Sequence, residues 1–212
     1  MPAHHGPSVL VTGIHSAVGE YIGSEFMGHG WFVVGADSSH RTSHFARAHV
    51  HADLSSIQSY SHAVRRASIL GNGLDCVVNA DAVPVFGEQG EEFIRAAFVQ
   101  ALAEMRGSVV NVLAEARSEG LDRSFVLSRT AELAALNAGA RVNTVAPNLV
   151  HSSSTYRGAD PDEFLATLTA NEPVVRPRPT LDDVAAAVFF IASQPLSGVT
   201  LGADDILPVL RR

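Results

Sequence analysis

The stretch "VLVTGIHSAVGEYIG", residues 9–23, decides the fold of this chain. A short apolar run ends at Thr12, Gly13 follows it, and apolar residues then recur at helical spacing from about Ala17. Gly13 permits a tight turn after a strand, and Gly19 lets a helix pack closely on that strand. The N-terminus of such a helix offers free N–H groups and the positive end of its dipole to a pyrophosphate. The stretch therefore predicts a strand, a turn and a helix that bind a nucleotide.

Short apolar runs alternate with longer segments of helical periodicity along the rest of the sequence. The predicted strands are 9–11, 31–35, 74–80, 108–113, 140–146 and 205–210, and the predicted helices are 17–27, 57–70, 91–105, 125–138 and 181–193. A loop rich in Ser and His connects the second strand to Asp53. Because the strands are apolar on both faces, we expect a doubly wound parallel sheet with helices on both sides, a Rossmann-type α/β fold.

Length and composition predict one domain over residues 1–212, because a chain of 212 residues with 46% hydrophobic content can bury a full core. Residues 1–7 are expected to form a flexible tail. The long irregular stretch 150–179 is expected to form a substrate loop or lid, since loops of that length in compact domains are often functional.

Charge and residue usage narrow the class of protein. The net charge of −7 argues against a nucleic-acid partner. No run approaches the roughly 18 apolar residues of a membrane span, and the start has no signal-peptide pattern, so we expect a cytoplasmic protein. The single Cys76, in an apolar run, is expected to be a buried reduced thiol. No metal site is predicted, because His4 and His5 have no partner ligands near them in the sequence.

Asp37 follows the second predicted strand, near the spacing at which a carboxylate meets the hydroxyls of an adenosine ribose. A carboxylate there would repel a 2′-phosphate, so NAD is favoured over NADP. The alternative interpretation is that Asp37 only caps a turn.

Several ordered motifs resemble the short-chain dehydrogenase/reductase superfamily, from about Ser8 to about Val209. The T-G-x-x-x-G-x-G pattern of that superfamily is matched at Thr12, Gly13 and Gly19, with Ala17 in place of the middle glycine. Further similar segments are Asp53–Leu54 (the adenine-contacting pair), Asn79–Ala80 (the N-N-A-G strand end), "GSVVNV" at 107–112, "RVNTVAPN" at 141–148 and "RPTLDDVAAAVFFIAS" at 178–193.

This resemblance implies a nicotinamide-dinucleotide site in which NAD(H) is favoured over NADP(H). The alternative is that no cofactor binds, because Ala17 and Asp81 stand where the superfamily has glycine. The cofactor-binding residues that it implies are Thr12, Gly13, His15, Ala17, Val18, Gly19, Asp37, Asp53, Leu54, Asn79, Ala80, Arg129, Pro147 and Asn148.

The catalytic residues of the superfamily are replaced in this chain. Its Tyr, Lys, Ser and Asn fall on Phe125, Arg129, Ala114 and Phe93. Phe125 has no proton to give, and the loss of a positioned general acid typically costs ~10²–10⁴ in rate. Arg129 stays charged but has the donors to bind ribose hydroxyls; the alternative is a solvated helix cation.

Two hydroxyls are candidates to replace the lost acid. Ser118 lies in the loop after the predicted strand at 108–113, and Tyr156 lies in the expected lid. Their side chains carry the O–H groups that Phe125 lacks.

Three hypotheses about function remain open on the sequence. The first is an atypical or catalytically impaired oxidoreductase of the short-chain dehydrogenase type, and the second is a non-enzymatic relative that acts as a regulatory or partner subunit. The third is a non-redox enzyme: either one resembling halohydrin dehalogenases, which use Ser, Tyr and Arg and bind halide, or another lyase. The resemblance further implies a small-molecule ligand or substrate and a homodimer, a homotetramer or a hetero-oligomer with an active relative. The net charge and the lack of a long apolar run argue against nucleic acid and membrane as partners.

Overall fold

A computed structural model of the protein describes residues 6–80, 107–113, 130–132, 134–135, 140–146 and 180–202. Strands and helices alternate along these residues. The elements in chain order are β1 (Ser8–Thr12), α1 (Ala17–Gly28), β2 (Phe32–Asp37), β3 (Ala48–His51), α2 (Ile57–Gly71), β4 (Cys76–Asn79), β5 (Ser108–Val112), β6 (Arg141–Ala146), α3 (Leu181–Ser193) and β7 (Thr200–Gly202).

The strands form one seven-stranded sheet in the order β3-β2-β1-β4-β5-β6-β7. Every neighbouring pair is parallel. The strand order reverses between β1 and β4, and in open parallel sheets ligands bind outside the carboxyl ends of the strands at such a point. The predicted Rossmann-type fold is confirmed.

Each of the helices α1, α2 and α3 begins at a residue whose side chain accepts a hydrogen bond from an N–H of the first turn. Ser16 caps α1, Ser56 caps α2, and Thr180 forms a capping box with Asp183 at the start of α3. Caps of this kind satisfy backbone N–H groups that have no partner inside the helix. None of the helices in the described ranges is long and apolar enough to cross a lipid bilayer.

Apolar side chains pack on both faces of the sheet. One buried cluster includes Tyr60 and Val64 of α2. The other includes Phe26 of α1 and Ile191 of α3. Cys76 belongs to the second cluster as a free, fully buried thiol, which confirms its predicted state.

Three parts of the strand prediction were wrong. The second strand continues past Gly35 to Asp37, so Asp37 is its last residue and not part of the loop. The expected Ser/His-rich loop contains β3, which pairs with β2 from Ala48 to His51. A strand at Thr200–Gly202 was also not predicted, and the predicted strand at 205–210 lies outside the described residues.

Candidate functional site

The turn between β1 and α1 has the geometry that its two glycines predict. Gly13 has φ = 64°, in the left-handed region that glycine enters without strain. A Cβ placed on Gly19 would lie 2.1 Å from the Gly13 carbonyl oxygen and 3.0 Å from the Cα of Ile14. The predicted roles of Gly13 in the tight turn and of Gly19 in helix packing are therefore confirmed.

The N-terminus of α1 lies at the carboxyl edge of the sheet, beside this turn. Ser16 Oγ accepts from the Gly19 N–H at 3.0 Å and caps the helix. Neither Ala17 nor Val18, which follow the cap, has an intrahelical partner for its N–H, because the first turn of a helix has none. The methyl group of Ala17 is exposed, so it lies at the surface from which an anion would approach these N–H groups.

Asp37 accepts four hydrogen bonds at the end of β2. Its Oδ2 accepts from the His15 N–H at 3.1 Å and from His15 Nδ1 at 2.7 Å. Its Oδ1 accepts from the Ser39 N–H at 2.8 Å and from His49 Nε2 at 3.3 Å. A carboxylate has about four lone-pair sites, so these contacts occupy all of them.

These contacts keep Asp37 ionised. Burial raises the pKa of its carboxyl group, but hydrogen bonds from the His15 side chain, the Ser39 N–H and the His15 N–H lower it by more. The net pKa therefore lies below the ordinary value. The edge of the sheet beside the glycine turn carries a negative charge at neutral pH.

The convergence of His15, Asp37 and His49 follows from a missing side chain at Gly35. A Cβ there would lie 2.7 Å from Ile14, so the loop after β1 can lie against β2 only because residue 35 is glycine. Asp37 is two residues beyond Gly35 and thus on the same face, and His49 of β3 is the register partner of Gly35. The two imidazole rings meet edge to face with centroids 5.4 Å apart.

Asn79 at the end of β4 is the hub of a buried polar network. Tyr60 Oη donates to Asn79 Oδ1 at 2.9 Å, and Asn79 Nδ2 donates to Asn111 Oδ1 at 2.8 Å. Thr12 Oγ1 lies 3.5 Å from the same Asn79 oxygen. The network fixes the ends of β1, β4 and β5 relative to one another at the point where the strand order reverses.

Asp53 and Leu54 follow β3, on the loop that leads to α2. Asp53 is exposed, and its Oδ1 accepts from the Ser55 N–H at 3.0 Å and from the Ser55 hydroxyl at 2.6 Å. Leu54 is partly buried against the apolar cluster on the α2 face. The structure thus places Asp53 at the rim of the same edge, with one carboxylate oxygen used in a local turn.

The described residues bring eleven of the predicted cofactor-site residues to the carboxyl edge of the first four strands: Thr12, Gly13, His15, Ala17, Val18, Gly19, Asp37, Asp53, Leu54, Asn79 and Ala80. The other predicted site positions lie outside the described residues: Phe93, Ala114, Ser118, Phe125, Arg129, Pro147, Asn148 and Tyr156, with the expected lid at 150–179.

His49, Tyr60 and Asn111 were not predicted as parts of this site. Asn111 and His49 each stand out in the sequence once the strands are known. Asn111 is a polar residue inside an otherwise apolar strand, and His49 alternates with the buried Val50. A buried amide needs a hydrogen-bond partner, which explains the pairing of Asn111 with Asn79.

The comparisons with known proteins agree with this geometry. A solved structure of a C-terminal deletion mutant of the aldohexose dehydrogenase of Thermoplasma acidophilum has a TM-score of 0.71 at 19% sequence identity, covering 96% of this chain and 97% of that chain. At that identity the likeness shows the fold alone. No curated protein sequence matches the chain significantly.

The profile of the NAD dependent epimerase/dehydratase family matches residues 9–159, most of the chain, and the match includes the glycine turn and Asp37. That family implies a nicotinamide-dinucleotide cofactor, in agreement with the resemblance to short-chain dehydrogenases at the level of the superfamily. The chain therefore belongs to the NAD dependent epimerase/dehydratase family.

Proposed function

We propose that this protein is an atypical oxidoreductase of the short-chain dehydrogenase type that binds NAD(H) in preference to NADP(H) and reduces carbonyls poorly. The observation that carries the proposal is the ionised Asp37 at the end of β2, next to the glycine turn. A negative charge at this position favours ribose hydroxyls and disfavours a 2′-phosphate.

The residues of the edge fit a dinucleotide. The N–H groups at the start of α1 are suited to a pyrophosphate, since a helix N-terminus combines free donors with a positive dipole end. Asp37 would hold the adenosine ribose, and Asp53 with Leu54 would border the adenine. When bound, the nicotinamide supplies or accepts a hydride.

Because Asp37 already accepts four hydrogen bonds, a ribose hydroxyl must replace one of them. The contact with His49 Nε2 is the longest, at 3.3 Å, and therefore the weakest. The two backbone N–H donors, from His15 and Ser39, would keep the carboxylate oriented and ionised while His49 gives way.

The proposal that the protein reduces carbonyls poorly is based on the residue types at the catalytic positions. Phe125 cannot donate a proton to a developing alkoxide, and Ala114 cannot orient a carbonyl by hydrogen bonding. Arg129 would bind ribose hydroxyls through its planar donors but cannot lower the pKa of a tyrosine that is missing.

Cofactor binding is tested by titrating NADH and NADPH separately into the wild-type protein and the Asp37→Ala variant, with nicotinamide fluorescence as the readout. We expect saturable NADH binding to the wild type, at least tenfold weaker in Asp37→Ala, with the preference over NADPH lost. Asp182→Ala, which removes an exposed carboxylate at the start of α3, is the matched control. Equal affinity for both nucleotides in the wild type would refute the proposed role of Asp37.

Hydride transfer is tested with a panel of carbonyls and alcohols. The wild type should turn over slowly, and the triple variant Phe125→Tyr, Arg129→Lys, Ala114→Ser should be at least tenfold faster if the usual acid and its partners are what the chain lacks. Fast turnover by the wild type that the triple substitution does not improve would show that other residues supply the proton.

A further inference from the structure

Two imidazoles and one carboxylate converge where β1, β2 and β3 end. One nitrogen each of His15 and His49 and one oxygen of Asp37 lie within 4.8 Å of one another. The three residues come from a turn, a strand end and a neighbouring strand, so the sheet register and the contact of Ile14 with Gly35 hold them together.

The donor set has a defined chemistry. Two neutral imidazoles and a carboxylate are ligands that Zn²⁺ and other divalent transition ions accept, and such sets leave a coordination position for water or a further ligand. His15 Nε2 is buried and, within the described part of the chain, has no hydrogen-bond partner. The hydrogen bonds around Asp37 therefore satisfy only Nδ1 of the His15 ring and leave Nε2 without a partner among the described residues.

The distances are close to those of a metal site. Ligands bound at about 2.0–2.1 Å in a tetrahedron lie roughly 3.3 Å apart. His49 Nε2 and Asp37 Oδ1 are already 3.3 Å apart, and His15 Nδ1 and Asp37 Oδ2 are 2.7 Å apart.

Burial and charge favour the binding of a metal ion at these three residues. The side chains of His15, Asp37 and His49 are 23%, 13% and 11% exposed, so a bound ion would be largely shielded from water. The Asp37 carboxylate supplies the negative charge that a cation needs.

We propose that His15, Asp37 and His49 form a binding site for a divalent transition metal, for which Zn²⁺ is the best fit. Since the same carboxylate is proposed to hold the ribose, metal and dinucleotide would exclude each other. This second part rests on the proposed function. The metal would then control whether the cofactor site is open.

The test is a calorimetric titration of Zn²⁺ into the full-length chain after metal removal, with His4 and His5 replaced by Ala in every sample so that they cannot bind the ion. We expect one Zn²⁺ per chain, and binding weakened more than about 100-fold by His49→Ala or by His15→Ala. His15→Ala keeps the backbone N–H that contacts Asp37, so the strand end should stay in place.

His51→Ala is the matched control. His51 lies on the same strand as His49, but it is exposed and stacks on His40 at 4.1 Å instead of facing Asp37. It should leave Zn²⁺ binding unchanged. If His51→Ala weakens binding as much as His49→Ala does, or if the wild type binds no Zn²⁺, the three residues are only a hydrogen-bonded cluster that orients Asp37.

Two further measurements separate folding and cofactor effects from the metal site. His49→Gln keeps the bulk of the side chain, and Co²⁺ in place of Zn²⁺ should give the visible absorption of a tetrahedral site in the wild type only.

Saturating Zn²⁺ should raise the Kd for NADH at least tenfold in the wild type and not in His49→Ala. Unchanged NADH affinity with Zn²⁺ bound would refute the proposal that metal and dinucleotide exclude each other. Absence of NADH binding without Zn²⁺ would refute the proposed function, and the Zn²⁺ isotherm would still decide the metal site.

Discussion

The Cα of Gly19 faces the carbonyl oxygen of Gly13 so closely that a Cβ on Gly19 would lie 2.1 Å from that oxygen. Such a contact is far inside van der Waals distance and involves backbone on both sides. A Cβ on Gly23, one turn later on α1, would lie 2.5 Å from the Phe45 carbonyl oxygen. Two glycines of α1 therefore fix how near this helix lies to the sheet and to the loop after β2.

The substitution Gly19→Ala should lower the free energy of unfolding by about 1–3 kcal/mol or more, because overpacking against backbone forces the helix to move. Urea unfolding followed by circular dichroism measures the change. Gly28→Ala is the control: a Cβ there meets nothing within 4 Å, and alanine favours a helix by about 1 kcal/mol over glycine. Equal stability of Gly19→Ala and the wild type would mean that α1 does not lie this close to β1.

Replacing Asn143 with Leu should destabilise the protein through the loop after α3. Asn143 Nδ2 donates to the Leu196 carbonyl at 2.8 Å, and its Oδ1 accepts from the Val199 N–H at 3.0 Å. Each group left without a partner in a buried place costs about 1–3 kcal/mol. The same urea measurement applies, with Ser193→Ala as an exposed control expected to change stability by less than about 0.5 kcal/mol.

Alkaline pH should weaken the fold through Tyr60. Burial raises the pKa of its hydroxyl group above the ordinary value, and the hydrogen bond to Asn79 offsets this only in part. Above pH about 10 the unfolded chain ionises Tyr60 while the folded chain does not, so the free energy of unfolding falls by about 1.4 kcal/mol per pH unit from this group. This stability is fully present below pH about 10 and is lost as the pH rises.

The contribution of Tyr60 is tested by comparing urea unfolding at neutral and alkaline pH in the wild type and in Tyr60→Phe. The variant should be less stable by about 0.5–1.5 kcal/mol at neutral pH, because it loses one hydrogen bond, and should show a smaller fall at alkaline pH. Tyr21→Phe, at an exposed position, should change neither the stability at neutral pH nor its fall at alkaline pH. The same pH slope in Tyr60→Phe as in the wild type would contradict the assignment.

The thiol of Cys76 should be inert in the folded protein. It is fully buried in β4, and burial raises its pKa, which suppresses the reactive thiolate. A thiol-specific disulfide reagent should modify the native protein only as fast as it unfolds, and modify it immediately in denaturant. Rapid modification under native conditions would place Cys76 at the surface.

The elements that the sequence predicts well are those that depend on local requirements. Gly13 and Gly19 could be assigned roles because a positive φ and a close helix each demand glycine within a few residues. The helices at 57–70 and 181–193 were placed within a residue of their observed ends by their helical periodicity. By contrast, β3 was missed, since His49 and His51 make half of its four residues polar.

The site residues that escaped prediction depend on register. His15 approaches His49 only because β3 pairs with β2 opposite Gly35 and because Ile14 fills the space that a side chain at 35 would take. Asn79 was predicted from its motif, but its partners Tyr60 and Asn111 come from α2 and β5, which no local pattern connects. Contacts between distant segments follow from the assembled sheet and not from spacing along the chain.

The most direct measurement is a calorimetric titration of NAD⁺, and separately of NADP⁺, into the metal-free wild-type protein. We expect one NAD⁺ bound per chain and an affinity for NADP⁺ at least tenfold weaker, because the ionised Asp37 repels a 2′-phosphate. No heat with either nucleotide, or tighter binding of NADP⁺, would contradict the assignment of this edge of the sheet as an NAD site.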